Sequence, residues 1–267
     1  MLWIYDLPTW LFGVLTIATC TVLALGGLIL TYRGFHRRSP DRHALIDNEV
    51  VGSFLSQILT LYGITLGLIA VATWESTSQV SGYASQEAAV ITTLYRDFNG
   101  YPPTVRDELR GRLRELTTLI VEKEWPAQQH GRIIDDGTAL ITNIQNQLMA
   151  FEPQTRGQEI VHAEAFAAFN RMVAARRQRV EAVSDGIPGV LWAVVLIGAV
   201  ISVGCTYCFQ IRDFKIHAIL TAGLAATIGL LIFLIASLDH PYLGEVSVPS
   251  DSYKLLLERV MPIAQVR

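Results

Sequence analysis

The stretch that decides the fold runs from Val50 to Trp74 and reads VVGSFLSQILTLYGITLGLIAVATW. It carries no charged side chain and is longer than the about 20 residues that a helix needs to cross a hydrocarbon core. Because a bilayer offers no water to backbone N–H and C=O groups, such a run must be helical. Three similar runs without Asp, Glu, Lys or Arg accompany it, at Leu7–Tyr32, Gly186–Ile211 and Ile216–Leu238. The sequence therefore predicts an all-α integral membrane protein with four transmembrane helices.

The four spans divide the chain into two pairs around a polar middle. We predict a first helix pair with a short basic loop at 1–74, a polar helical domain at 75–186, a second pair at 187–240 and a C-terminal segment at 241–267. Charged residues make up 17% of the chain, below the about 25% typical of soluble domains. A net charge of −3 and the lack of a basic tail argue against a nucleic-acid partner.

The middle domain has helical periodicity. Val105, Leu109, Leu113, Leu116 and Ile120 recur at steps of three and four residues, which places them on one face of a helix. Similar spacing predicts helices around 140–151 and 160–183. No helix breaker follows Trp74 before residue 98, so span two should continue out of the membrane as one long helix. The sequence thus predicts an extramembrane helical bundle between spans two and three.

Short loops carry the topological information in a membrane protein, because cytoplasmic loops are rich in Lys and Arg. Both short loops here are basic, whereas the N-terminal stub holds only Asp6. The charge bias therefore places the short loops in the cytoplasm, and the middle domain and both termini outside it. The basic side chains are Arg33, Arg37, Arg38 and Arg42 in the first loop, and Arg212 and Lys215 in the second.

Span two carries an uncharged polar face. Small and polar residues recur at steps of three and four, so they share one side of the helix. One interpretation is packing between helices, since a G-x-x-x-G pair lets backbones approach closely. The other is the lining of a pore, because polar groups in a membrane prefer protein interior or water. These pore-lining candidates are Ser53, Ser56, Gln57, Thr60, Gly63 and Gly67.

Basic residues flank the second pair of spans. A cluster precedes span three, and two further basic residues lie between spans three and four. Such groups could attract anions to a vestibule through their local potential. The alternative is a solvated helix face or a set of interfacial anchors. The candidates are Arg176, Arg177, Arg179, Arg212 and Lys215.

Few other residues indicate chemistry. Glu122 and Glu124 are interpreted as a solvated helix end, because calcium needs six to eight oxygen ligands and no such loop is present. Cys205 and Cys208 are interpreted as packing residues. The histidines lack metal-ligand spacing, and no hydrolase, phosphate-binding or dinucleotide-binding motif occurs. The sequence therefore predicts no metal site, no cofactor and no enzymatic activity, and the uncharged spans argue against a proton-coupled transporter.

Several motifs together resemble a known family. They are Glu87–Arg96 (EAAVITTLYR), Glu124–Pro126, Ala175–Arg179 (ARRQR) with Pro188 and Trp192, and Leu238–Gly244 (LDHPYLG). In this order they resemble a bacterial family described as bestrophin-like, over about residues 45 to 262. The resemblance implies a homo-oligomeric anion channel with four spans per subunit, in the bacterial inner membrane. It also implies that the helical domain is cytoplasmic, which is opposite to the orientation that the charge bias predicts.

Three functional classes remain open. The first is an oligomeric ion channel, with chloride favoured over cations and span two lining the pore. The second is a non-catalytic membrane scaffold or sensor whose middle domain binds a partner. The third is an enzyme or transporter, which the missing nucleophile, metal set and intramembrane charges disfavour.

Overall fold

The computed structural model describes residues 3–38 and 47–262, and in these ranges the chain is built from α-helices joined by short turns. Arg42, from the predicted first basic loop, lies outside the described residues. The helices are α1 Thr9–Arg38, α2 Asn48–Asp97, α3 Pro103–Leu119, α4 Trp125–Gln128, α5 Gly137–Ala150, α6 Arg156–Glu181, α7 Gly189–Thr206, α8 Phe214–Leu238 and α9 Asp251–Arg259.

Four segments are long and apolar enough, by length and composition, to cross a membrane, as predicted. They are α1, the N-terminal half of α2, α7 and α8. Several ends differ from the predicted runs: α1 spans Thr9–Arg38, α7 spans Gly189–Thr206, and α8 begins at Phe214. Asp213 sets this start, because its carboxylate accepts a hydrogen bond from the Lys215 backbone N–H at 2.8 Å.

Small residues bring the membrane helices together. A Cβ at Gly229 of α8 would lie 3.0 Å from the backbone Cα of Ile17 in α1. Gly198 of α7 lies against the ring of Tyr62 in α2. The Tyr62 hydroxyl then donates to the carbonyl oxygen of Val195 at 2.7 Å. Close approach of this kind is how membrane helices associate when the surrounding lipid is as apolar as their side chains.

Helix α2 runs without interruption for 50 residues, about 75 Å at 1.5 Å per residue. Asp47 caps its start through a hydrogen bond from the Glu49 N–H at 2.9 Å. This length confirms that span two continues beyond Trp74. One side of the helix is buried along most of its length. The buried side chains are Tyr62, Leu66, Ile69, Thr73, Val80, Ala84, Glu87, Ala88, Ile91 and Leu94.

The extramembrane part forms one apolar core around the C-terminal half of α2. Leu109 and Leu113 from α3, Ile144 from α5 and Phe169 from α6 are buried in it together with Ile91 of α2. The residues of the predicted α3 stripe face this core because steps of three and four keep them on one side of the helix.

The chain does not end a helix at Glu124. It passes from α3 through a π-helical turn at Ile120–Glu124 directly into α4. Glu124 is only 1% exposed, so its interpretation as a solvated helix end is wrong, whereas Glu122 is exposed. A π-turn widens the helix by one residue per hydrogen bond and turns the following side chains relative to the preceding ones.

The C-terminal segment that follows α8 contacts the start of α1, then α4 and α2. Glu245 accepts a hydrogen bond from the Thr9 N–H at the start of α1, at 3.0 Å. The carbonyl oxygen of Val248 accepts one from the indole N–H of Trp125 at 3.1 Å. Helix α9 then packs beside α2 and buries Tyr253 and Leu256.

Candidate ion pathway

The polar face of span two, defined as Ser53, Ser56, Gln57, Thr60, Gly63 and Gly67, lies on the side of α2 that its own chain leaves uncovered. All six residues are exposed. Leu66 and Ile69 on the opposite side are buried against the other membrane helices, whereas Phe54, Leu61 and Leu68 are exposed beside the polar face. The spacing that was read from the sequence therefore corresponds to one exposed side of the helix.

The two glycines of the polar face do not pack against another helix of the same chain. A Cβ added at Gly63 or Gly67 would meet nothing within 4 Å. Thr60 donates its hydroxyl to the Ser56 carbonyl at 2.8 Å, so its oxygen keeps free acceptor capacity toward the open side. Gly63 and Gly67 therefore do not mediate helix packing within one subunit. Packing between copies and pore lining both remain compatible.

Small polar residues recur on the same side of α2 nearer its C-terminal end. Ser78, Ser81, Gly82 and Ser85 are exposed at the same three- and four-residue steps, after an interruption in which the exposed Glu75 places a charge on this side. Two apolar residues on this side were not predicted from the sequence. Ile64 and Val71 are 58% and 64% exposed, and they interrupt this side because a step of seven residues from Gln57 returns to almost the same angle.

Three of the five basic candidates are exposed. Arg212 and Lys215 flank the start of α8, at one end of the membrane helices. Arg177 lies on α6 and pairs with Glu181 one turn later at 2.7 Å, with both side chains mostly in solvent. The exposure of these three side chains is compatible with both interpretations made from the sequence. Their proposed role in attracting anions remains a prediction.

Arg176 and Arg179 occupy the interior instead. Their side chains are 9% and 0% exposed, so neither a solvated helix face nor an open vestibule describes them. They lie three positions apart on α6, which places both guanidinium groups on the side that packs against α2. A buried guanidinium requires a partner charge, and two glutamates supply it.

Glu87, Glu124, Arg176 and Arg179 form a buried charge cluster. Arg176 binds both carboxylate oxygens of Glu124, with 2.9 Å between Nη1 and Oε2. Arg179 donates through Nε to Glu87 and through Nη2 to Glu124 at 3.2 Å. Its Nη1 donates to the Oε1 of Gln128 at 2.9 Å. The two positive and two negative charges cancel, so the cluster is neutral as a whole.

Aromatic rings enclose the cluster. The Arg179 guanidinium lies 5.6 Å from the ring centre of Trp125 and 5.8 Å from that of Tyr253, within cation–π range. The Tyr253 hydroxyl donates to Glu87 Oε2 at 2.8 Å. Burial, together with the charge of Glu87, raises the pKa of Tyr253 well above its ordinary value. For Arg179, burial alone would lower the pKa, and the Glu87 carboxylate raises it above its usual range.

One feature of the sequence indicates this cluster: a charged residue lies at an apolar position of the helical pattern. Glu87 falls between Ala84 and Ile91, on the apolar stripe of α2. A carboxylate in such a stripe requires a buried cation. The cation stands on α6, 92 residues further along the chain. The pairing therefore depends on how the helices pack, and local spacing does not reveal it.

The described residues hold no group of three or more His, Cys, Asp or Glu side chains that could bind a metal ion. Cys20, Cys205 and Cys208 are all free thiols. Cys208 lies beyond the end of α7 and is exposed, rather than packed inside a span as the sequence suggested.

Comparison with known proteins gives one family and one fold. The bestrophin-like domain model matches residues 18–253. A mutant crystal structure of a bacterial bestrophin homologue from Klebsiella pneumoniae has a TM-score of 0.66 and 10% identity, covering 91% of this chain and 98% of that chain. A Zn-SAD structure with the same description gives 0.65 and 12%, covering 92% and 97%. At these identities the likeness concerns the fold. No curated protein sequence matches the chain.

Proposed function

Because the chain belongs to the bestrophin-like family, we propose that it is a homo-oligomeric membrane ion channel that conducts anions, with α2 lining the pore. The observation that carries this proposal is the polar face of α2, which is exposed and uncovered within its own chain. One helix face cannot enclose a pathway, so several copies must surround a common axis. A head-to-tail interface closes such copies into a ring.

The lining favours small ions over charged substrates that need a binding pocket. Hydroxyl, amide and backbone groups can replace part of an ion's hydration shell without trapping it. Ile64 and Val71 would form apolar rings in such an assembly, and rings of this kind gate by dewetting. Arg212 and Lys215 at one mouth would raise the local concentration of anions.

The decisive experiment is reconstitution in a planar bilayer under a KCl gradient. Currents that reverse near the chloride potential support the proposal. Reversal near the potassium potential keeps the channel and rejects anion selectivity. Silence from folded, oriented protein favours the alternative of a non-catalytic scaffold or sensor, for which the exposed Met149 and Ile160 outside the spans offer apolar contact.

The pore assignment has a matched control on another helix. Thr60→Val and Gln57→Leu should change conductance or selectivity, because they remove polar groups from the lining. Thr227 of α8 is also exposed and also bonds the carbonyl four residues earlier, at 3.0 Å. Thr227→Val should therefore leave both properties unchanged. If the three variants behave alike, α2 does not line the pore.

Orientation can be tested with a native thiol. The charge bias of the short loops predicts a cytoplasmic position for Cys208, which is exposed between α7 and α8. With Cys20 and Cys205 replaced by serine, a membrane-impermeant maleimide should not label Cys208 in intact cells, but should do so after lysis. Labelling from outside would establish the opposite orientation, with a cytoplasmic helical domain.

A further inference from the structure

Helix α9 contacts the pore helix on two sides. Tyr253 donates to Glu87 on the buried side of α2. The neighbouring Ser252 shares a hydrogen bond with Ser85, at 3.4 Å between the hydroxyl oxygens. Ser85 belongs to the exposed side of α2, and two residues of a helix are separated by about 200° around its axis. Adjacent residues of α9 thus contact two nearly opposite positions of the same helical turn.

Glu87 is held through a single oxygen. Its Oε2 accepts from both Arg179 on α6 and Tyr253 on α9. Its Oε1 is buried without a hydrogen-bond partner and lies 3.9 Å from Nη1 of Arg176. Because two donors from two helices converge on Oε2, a rotation of α2 about its axis would lengthen both bonds. In a low-dielectric interior, loss of a hydrogen bond to a charged group is costly.

A tyrosine hydroxyl is protonated at physiological pH, and burial together with the charge of Glu87 raises the pKa of Tyr253 further, so the hydroxyl remains a donor. The adjoining Tyr242 differs in its partner. It is equally buried, but its hydroxyl donates to the backbone carbonyl of Arg179 at 3.3 Å and makes no hydrogen bond to α2. Two buried tyrosine hydroxyls therefore adjoin the charge cluster, and only that of Tyr253 bonds a side chain of α2.

We propose that Glu87 and Tyr253 are positioning residues through which the C-terminal helix α9 sets the rotational position of α2, and with it the direction of its polar face. On the proposed channel function, from which this consequence follows, the bond between them controls the balance between open and closed states. The C-terminal segment is suited to this role, since its other contacts reach α1 at Thr9 and α4 at Trp125.

The test compares Tyr253→Phe with Tyr242→Phe. Each variant removes one buried hydroxyl and keeps the ring. Tyr253→Phe should shift the open-to-closed ratio about tenfold, as expected for loss of a hydrogen bond to a charged group. Tyr242→Phe should leave the ratio unchanged. Glu87→Gln should act in the same direction as Tyr253→Phe, because the amide oxygen can still accept from Tyr253 but carries no charge to strengthen the bond. The two effects should combine less than additively in the double variant, because both changes act on the same bond.

A second readout does not depend on current. In a background with the three native cysteines replaced by serine, Ser81→Cys on the exposed side of α2 reports the rotation of the helix through its rate of reaction with a water-soluble maleimide. Tyr253→Phe should change this rate, and Tyr242→Phe should not. If wild-type protein is silent but the rate still responds, positioning holds and the channel proposal fails. Equal responses of the two variants, or none to Tyr253→Phe, overturn the positioning role.

Discussion

The exposed side and the buried side of α2 carry different kinds of polar group. The exposed side carries hydroxyls, an amide and glycines but no charge along the membrane segment. The buried side is mostly apolar and carries one charged group, the carboxylate of Glu87, which is paired with Arg179. A charge can be buried where packing supplies an opposite charge. A helix side that faces lipid, water or another copy of the chain has no fixed opposite charge beside it. In the membrane segment, the exposed side of α2 therefore carries uncharged polar groups instead of ionised ones.

The largest effect is expected from breaking the buried side. Arg179→Met should lower the free energy of unfolding by about 3–5 kcal/mol, because it leaves Glu87 buried without its main cation. The measurement is thermal or denaturant unfolding in detergent. Arg177→Met is the matched control, since the Arg177 side chain is 78% exposed and such surface changes stay within about 0.5 kcal/mol. Similar losses in both variants would contradict the buried cluster.

A smaller effect is expected from crowding the same cluster. A Cβ at Gly137 would collide with Nη2 of Arg176 and would lie 2.7 Å from Oε1 of Glu124. Gly137→Ala should therefore cost about 1–3 kcal/mol, the usual range for overpacking. Gly111→Ala meets open space and should stabilise α3 by up to about 1 kcal/mol through helix propensity. If both variants are more stable than the wild type, the Arg176–Glu124 ion pair can move to make room for the added methyl group without loss of stability.

The smallest effect is expected from the exposed charges of Arg212 and Lys215 near the start of α8. On the channel proposal, Arg212→Gln with Lys215→Gln should lower anion conductance in dilute salt, because they remove local positive potential. The deficit should shrink above physiological ionic strength, where the screening length falls below about 8 Å. Single-channel recording over a salt series measures this. A deficit that is independent of salt would assign these residues a structural role.

Local patterns predicted the elements that depend only on neighbouring residues. The continuation of α2 follows from the lack of a helix breaker after Trp74, and the helical periodicity of α3 and the shared side of the polar residues follow from steps of three and four along one helix. The ends of helices were less predictable. Asp213 caps α8 and Asp47 caps α2, and such caps shift a boundary without changing the apolar run.

The basic cluster shows where the prediction failed. Arg176, Arg177 and Arg179 are almost adjacent and look alike in the sequence, yet only Arg177 is exposed. The difference is rotational: α6 turns two of the three toward α2 and the third toward solvent. Which side of α6 faces the core is decided by its contact with α2, through partners 52 and 92 residues distant.

The sequence by itself determined that this chain is helical, has four apolar spans and carries an uncharged polar face on the second. These features are fixed by hydrophobicity and helical period, which act over one or two turns. Only the tertiary structure decided that the polar face is left uncovered within its own chain, that Glu87 and Glu124 pair with Arg176 and Arg179, and that α9 reaches α2. Each of these depends on side chains from distant helices meeting in a low-dielectric interior, where unpaired charge is costly and paired charge is tolerated.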